Sequence, residues 1–240
     1  MELLLLGASR LGIDLTGRQQ EQFQLYYQEL VVWNGRMNLT AITDYNEVQT
    51  KHFLDSLSVV LAFSGHFGQT VSSVVDVGAG AGFPGVPLKI AFPDLHVVLL
   101  EATLKKVRFL DHLKEVLGLS GLDTISGRAE EIAHQEEYRE RFSLAVSRGV
   151  ARLPSLVEVT LPFCRVGGVM VVHKKGDITG EVESASRAIG LMGGRLRCVQ
   201  KVDLDGLKDN RLLVVVDKVA GTPAEFPRRT GVPKKQPISN

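Results

Sequence analysis

The chain has 240 residues, of which 44% are hydrophobic and 23% charged, with a net charge of +1. That balance suits a soluble globular protein with one large core and room for a small appendage, and no run approaches the ~18 consecutive apolar residues of a membrane span. Cys164 and Cys198 form no CxxC pair; such sparse cysteine fits a reducing cytosol and free core thiols.

The opening "MELLLLGASRLG" is read as the first turns of a helix, because no basic segment precedes the leucines and the run is short for a signal peptide. "RQQEQFQLYYQELVVWNGRMNLT" repeats Phe23, Tyr26, Tyr27, Leu30 and Val31 at three- and four-residue steps, the spacing of one buried helix face. Gly35 and Asn38 are expected to end that helix. "YNEVQTKHFLDSLSVVLAF" predicts a second helix carrying Val48, His52, Leu54, Asp55 and Val59. No good strand candidate appears before Ser72, so residues 1–65 form a helical extension.

The pattern then alternates. Strands are predicted at 74–77, 97–100, 122–126, 144–147, 169–173, 196–202 and 212–216, with helices at 86–92, 104–117, 128–136, 153–164 and 178–192. Alternation of this kind implies an α/β fold with a parallel sheet covered on both faces. Only "DLDGLKDN" separates the last two strands, too short for a helical crossover, so they are expected to form an antiparallel hairpin. The result is a seven-stranded sheet, mostly parallel, spanning residues 66–221. The tail 222–240 is rich in proline and is expected to be extended.

"VVDVGAGAGFPGVPLKIAFPDLHVVLLEA" carries the chemistry. Glycines after a strand permit positive φ, let a ligand approach the backbone and let the next helix pack closely. The dinucleotide fingerprint is G-x-G-x-x-G. Here Gly78, Gly80 and Gly82 read G-x-G-x-G, with Asp76 two residues ahead. That arrangement resembles the first motif of class I S-adenosylmethionine (SAM) methyltransferases, a Rossmann-like fold. Glu101, ending the second strand, offers two acceptor oxygens for a ribose diol. A nicotinamide enzyme of Rossmann type is the alternative; the glycine spacing, the hairpin and the lack of an obvious hydride-transfer acid or base stand against it. Glu130, in "GRAEEI", lies beside an adenine in such folds, or with Glu131 serves as a helix N-terminal acid pair.

The segment after the fourth strand, "AVSRGVARLPS", lacks the Asn/Asp-Pro-Pro-aromatic turn that grips an exocyclic amine, and Cys164 in "PFCRV", at a helix end, is a poor nucleophile. Arg148 and Arg152 stand there instead, a residue type that stacks on bases and clamps phosphate. Guanine N7 has a free lone pair and would need only alignment and desolvation. Bases cluster from Arg148 to Lys175 and in the tail, which is either a face for a polyanion or a set of scattered solvated charges.

Several segments in order resemble the RsmG (GidB, glucose-inhibited division protein B) family: "WNGRMNLTAITDYNEVQTKHFLDSL", "DVGAGAGFPGVPLKI", "EATLKKVRFL", "GRAEE", "SRGVARL", "HKKG" and "FPRRTGVPKKQPI". The resemblance implies a cytoplasmic enzyme that uses SAM to methylate guanine N7 in a conserved loop of bacterial 16S rRNA. Its partner would be the free RNA, the small subunit or an assembly intermediate. It implies cofactor contacts at Gly78, Phe83, Glu101, Ala102, Thr103, Ala129, Glu130 and Arg148, to which the motif adds Asp76 and Gly80. Lys175, although His173-Lys174 departs from the family's usual apolar pair, and Arg228, Arg229, Lys234 and Lys235 would touch RNA, with Arg152 beside them. Asn38, His52 and Asp55 would line the cleft; His52 and Asp55 are otherwise a buried histidine with its carboxylate partner. A monomer without metal is expected, since His66, His96, His112 and His134 have no ligand spacing. A small-molecule SAM methyltransferase and a non-enzymatic rRNA-binding or assembly protein are the alternatives.

Overall fold

The computed structural model describes every residue except 66, 150, 208 and 240, so the expectation for His66 lies outside the described residues. β1 (Ser73–Val77), β2 (His96–Glu101), β3 (Leu122–Ser126), β4 (Phe142–Arg148) and β5 (Cys164–Lys175) are parallel. β6 (Gly194–Lys201) and β7 (Arg211–Lys218) form the expected antiparallel hairpin, with β7 inserted against β5. The seven-stranded order is β3-β2-β1-β4-β5-β7-β6. The order reverses between β1 and β4, and in open α/β sheets ligands bind beyond the carboxyl ends of the strands at that reversal.

Period-2 alternation sends side chains to opposite faces. Val74, Val97, Leu99, Leu144, Val146, Val171 and Val215 join one core, and Val75, Val98, Leu100, Ala145, Met170, Val172 and Val216 the other. The first core is closed by α1 (Glu2–Arg10), α2 (Gly17–Met37), α6 (Gly85–Ala91) and α7 (Leu104–Val116), through Leu4, Phe23, Tyr26, Leu30, Leu88, Phe109 and Leu113. The N-terminal helices therefore share a core with the sheet. The second is closed by α9 (Leu153–Thr160) and α10 (Thr179–Leu191).

Several boundaries differ from expectation for identifiable reasons. α2 starts on a capping box in which Thr16 Oγ1 accepts from the Gln19 N–H and Gln19 Oε1 from the Thr16 N–H. It continues through Gly35; only Asn38, left-handed at φ 51°, ends it. The predicted second helix is divided into α3 (Tyr45–Val48), a π-helical turn (Gln49–Leu54), α4 (Asp55–Leu57) and a 3₁₀ turn (Ser58–Ala62). Hydroxyls compete for carbonyls along it: Thr50 donates to Asn46 O (3.0 Å), Ser56 to His52 O (2.6 Å) and Ser58 to Asp55 O (2.6 Å). α5 (Phe67–Thr70) leads into β1.

The helix predicted at 128–136 shrinks to α8 (Ala129–Ile132), followed by turns that end at Glu140 with φ 54°. α9 stops at Thr160 because Pro162 has no N–H to continue the ladder, and Cys164 opens β5 rather than ending a helix. Burial pushes the Cys164 thiol up to about 12, so it is inert. The tail is not extended: it makes turns and a short helix, α11 (Val232–Lys235), and is bonded to the body along its length. Among the described residues no helix is long and apolar enough to cross a membrane.

Candidate functional site

The glycine turn follows β1 directly. The N–H groups of Gly78 and Ala79 both donate to Leu100 O, at 2.8 and 3.0 Å, which ties the loop to the end of β2. Gly80 has φ 61°, and a Cβ there would meet nothing nearer than 3.8 Å, so its face is open to the cavity in front. Gly82 does a different job: a Cβ would lie 2.7 Å from Val86 Cγ2 and 2.8 Å from the Tyr26 hydroxyl, so the glycine admits close packing rather than a ligand. The Tyr26 hydroxyl in turn donates to Ala81 O at 2.5 Å, so α2 supports the loop from behind.

Asp76 does not line the cavity, which corrects its expected role as a cofactor contact. It is fully buried, and its Oδ2 accepts from the Gly85 N–H at 2.7 Å, fastening the far end of the loop. Burial raises its pKa to about 7.

The cavity, of about 530 Å³, opens at the carboxyl ends of β1 to β4. Gly78, Gly80, Phe83, Glu101, Ala102, Thr103, Ala129, Glu130 and Arg148 all line it. Glu101, 7% exposed, accepts from the Gly80 N–H (3.0 Å) with one oxygen and from the Thr103 N–H (2.8 Å) with the other. Each carboxylate oxygen has about two acceptor sites. One per oxygen is used, so a vicinal diol can take the others. Glu130 keeps one oxygen on the Gly231 N–H at 2.9 Å. An acidic strand end and an open glycine face on a cavity of about 530 Å³ fit a nucleoside with its side chain extended along the loop, as SAM requires.

Arg148 closes the other side. Its guanidinium lies 4.7 Å from the centroid of the Phe83 ring, donates to Asp55 Oδ2 (2.9 Å) and Lys51 O (3.3 Å), and reaches His52 Nδ1 (3.2 Å). His52 Nδ1 also lies 3.2 Å from Lys51 O, and its Nε2 lies 2.8 Å from Thr40 Oγ1. His52 also stacks on Phe83 with centroids 4.5 Å apart. Burial and the Arg148 charge lower its pKa to about 3, so it is neutral at physiological pH. Asp55 is bound by Arg211 as well, at 2.7 Å. Burial opposes its ionisation, but His173, Arg148 and Arg211 together hold its pKa below the ordinary carboxylate value.

Of the expected cleft residues, only His52 lines the cavity. Asp55 sits one layer behind Arg148, and Asn38 is the exposed cap of α2, with its neighbours Leu39 and Thr40 forming the wall. Arg152, the residue before α9, is exposed. Lys175 is two-thirds exposed and paired with Asp209 at 2.9 Å. Arg229, Lys234 and Lys235 are exposed, and Lys234 borders the cavity. Arg228 departs from its expected place on RNA: its Nε and Nη2 hold the wholly buried Glu158 at 2.9 and 2.7 Å. His96, His112 and His134 are engaged with Asp123, Glu29 and Pro227 O respectively. Sequence reasoning missed Lys106, Arg128 and Pro233 in the lining and Arg211 behind it. Lys106, Arg128 and Pro233 lie within motifs already singled out, whereas nothing local marks Arg211.

Solved structures share this architecture. A mutant of MtNAS in complex with S-adenosylmethionine superposes with TM-score 0.52 at 14% identity, over 85% of this chain and 72% of that one. Precorrin-6y C5,15-methyltransferase from Geobacter metallireducens GS-15 gives 0.51 at 13% identity, over 69% and 87%. Sheet order, terminal hairpin and pocket define a class I SAM-dependent methyltransferase. The family GidB, described as rRNA small subunit methyltransferase G, matches residues 19–208, and the chain belongs to it. Relatives named ribosomal RNA small subunit methyltransferase G are 53% identical in Dehalococcoides mccartyi (strain CBDB1), over 99% of this chain and 100% of theirs. In Roseiflexus castenholzii the identity is 45%, over 99% and 100%. The chain is an enzyme, with S-adenosylmethionine as its methyl donor.

Proposed function

We propose that this chain methylates N7 of a guanine in 16S ribosomal RNA, on the small subunit or a precursor of it. The observation that carries the choice of atom is that the one histidine lining the described cavity, His52, is buried, stacked on Phe83 and held against the Arg148 guanidinium, which together with burial lowers its pKa to about 3. A reaction that removed a proton from its acceptor would want a base with a pKa near 7 facing the acceptor. Guanine N7 presents a lone pair and loses no proton at that atom on attack.

When bound, S-adenosylmethionine supplies an electrophilic methyl on a sulfonium. The protein's work is alignment and exclusion of water. Glu101 holds the ribose, the Gly78–Gly80 backbone bounds the methionine part, and Ala102, Thr103, Ala129 and Glu130 border the adenine. Arg148, fixed by Asp55 and Lys51 O and supported by Phe83, presents its guanidinium to the incoming base. Arg152, Lys175, Arg229, Lys234 and Lys235 meet phosphates around the mouth. Residues 66–221 form the SAM-binding domain, 1–65 its helical extension and 222–240 its basic tail. We place the reaction in the cytoplasm, with one chain as the working unit.

Incubation with labelled SAM and small subunits lacking the modification should put label on one guanine, mapped as N7-methylguanine by its sensitivity to strand cleavage. Label on another atom or another RNA overturns the assignment. Arg229→Ala with Lys235→Ala should leave SAM affinity intact and reduce the salt slope of RNA binding by about 1 to 2; an unchanged slope removes the tail from the RNA interface.

A further inference from the structure

The C-terminal tail is stitched to the body at successive points. Arg139 donates to Thr222 O (2.9 Å), Pro223 O (3.0 Å) and Phe226 O (2.8 Å), and His134 Nε2 lies 2.7 Å from Pro227 O. Arg228 is locked on Glu158 through two side-chain bonds and its own N–H (2.9 Å), while its Nη2 also donates to Gln236 O (2.7 Å), which closes residues 228–236 into a loop. That loop then crosses α8. Thr230 Oγ1 donates to Glu131 (2.8 Å) and the Gly231 N–H to Glu130 (2.9 Å). Ser155 Oγ donates to the buried carbonyl of Pro233 at 2.8 Å. Pro233 and Lys234 are thereby placed in the cavity wall, beside Ala129, Glu130, Ser155 and Val159.

We propose that Pro233 and Lys234 are part of the cofactor site: they form the wall over the Ala129–Glu130 end of the pocket, and the Arg228–Glu158 pair is the pin that holds the tail there. The proposal rests on the placement of SAM in this cavity. Three features separate a wall from a mere packed terminus. Glu130, which borders the cavity, spends one oxygen on the tail backbone, so its orientation depends on the tail. Pro233 is buried at the cavity edge, where it excludes water from a site whose polar contacts strengthen as water leaves. The pin is a charge pair whose acid is wholly buried and holds three donors of one residue, an investment that a solvent-facing RNA arm does not need. The same loop exposes Arg229, Lys234 and Lys235, so cofactor wall and RNA-facing cations are one segment, and any coupling of the two ligands is reciprocal.

The test measures SAM binding by calorimetry and tail opening by limited trypsin digestion, followed at Arg229, Lys234 and Lys235 with exposed Arg10 as internal reference. SAM should slow cleavage in the tail and leave the Arg10 site unchanged. Pro233→Gly with Lys234→Ala keeps the pin and should weaken SAM binding by roughly three- to tenfold. Arg228→Gln with Glu158→Gln removes the pin without leaving a buried charge unpaired; it should weaken SAM binding comparably and speed tail cleavage. SAM affinity equal to wild type in both variants, or tail cleavage indifferent to SAM, overturns the wall. Absence of SAM binding in the wild type, or binding indifferent to Glu101→Ala, overturns the cofactor placement and the wall together, so the two failures are distinct.

Discussion

The two sides of the pocket are built by different means. The glycine-loop side comes from one stretch, Asp76 to Thr103, and is held by bonds that backbone N–H groups donate: Gly78 and Ala79 to Leu100 O, Gly80 and Thr103 to the Glu101 carboxylate, Gly85 to the Asp76 carboxylate. The Arg148 side is assembled from side-chain charges far apart in the chain, with Asp55 gripped by Arg148 and Arg211, and Glu158 by Arg228. The first side resists change because its geometry is intrinsic to the turn. The second is a set of buried charges, each of which becomes a liability when its partner is lost.

The largest expected effect is on the charged side. Asp55→Ala leaves the Arg148 guanidinium, 16% exposed, without its acid and beside Arg211, which keeps only the acid Asp209, at 2.8 Å. It should cost about 3–5 kcal/mol of folding stability, measured by denaturant unfolding; a loss under 1 kcal/mol would show that water already screens the cluster. On the backbone side, Glu101→Ala should spare the fold and weaken SAM binding by roughly 1–3 kcal/mol, through lost charge-assisted hydrogen bonds. Unchanged calorimetric affinity would remove the ribose assignment.

A smaller change probes whether the loop stands alone. Tyr26→Phe deletes the bond from α2 to Ala81 O and should cost about 1 kcal/mol. If SAM affinity falls with it, the N-terminal helix shapes the loop; if only stability falls, the loop holds its own conformation. The subtlest test is the pH dependence of Asp76→Asn. The Asp76 pKa rises to about 7 on folding, so between the ordinary carboxylate range and pH 7 the folded state binds its proton more tightly than the unfolded state. Its contribution to stability therefore falls as pH rises through that window. Asn can still accept from the Gly85 N–H and has no charge to bury. The Tm of the variant relative to wild type should climb from pH 5 to pH 8; a flat difference would mean that the carboxyl ionises in the fold as it does in water.

His52 works in the opposite sense. Its pKa of about 3 means that the unfolded chain gains a proton below about pH 6.5 while the folded chain does not, so this group costs stability as pH falls. Burial lowers the pKa of His173 as well, so titration of Asp76→Asn at mildly acid pH reads the loss from both histidines together.

Much of this enzyme was legible in its residues. Strand alternation and the short "DLDGLKDN" connection determined the parallel sheet and its terminal hairpin, because side-chain period and loop length act within a few residues. The G-x-G-x-G spacing and Glu101 determined the cofactor side for the same reason: positive φ is a property of glycine itself, and the acid lies one strand away. Even there, the loop's two acids were separated only by packing. Asp76 and Glu101 read alike as strand-end carboxylates, but one points into the core toward Gly85 and the other into the cavity.

The tertiary structure alone decided the rest. Arg228 and Arg229 are adjacent and chemically identical, yet one is bound to an acid 70 positions away and the other is exposed. The tail's return to α8 is likewise set by what that segment meets in the folded chain. Local preferences end at the hydrogen-bond and φ choices of neighbouring residues. Which charge finds which partner across a hundred residues depends on burial, where an unpaired ion costs more than any local preference can offset.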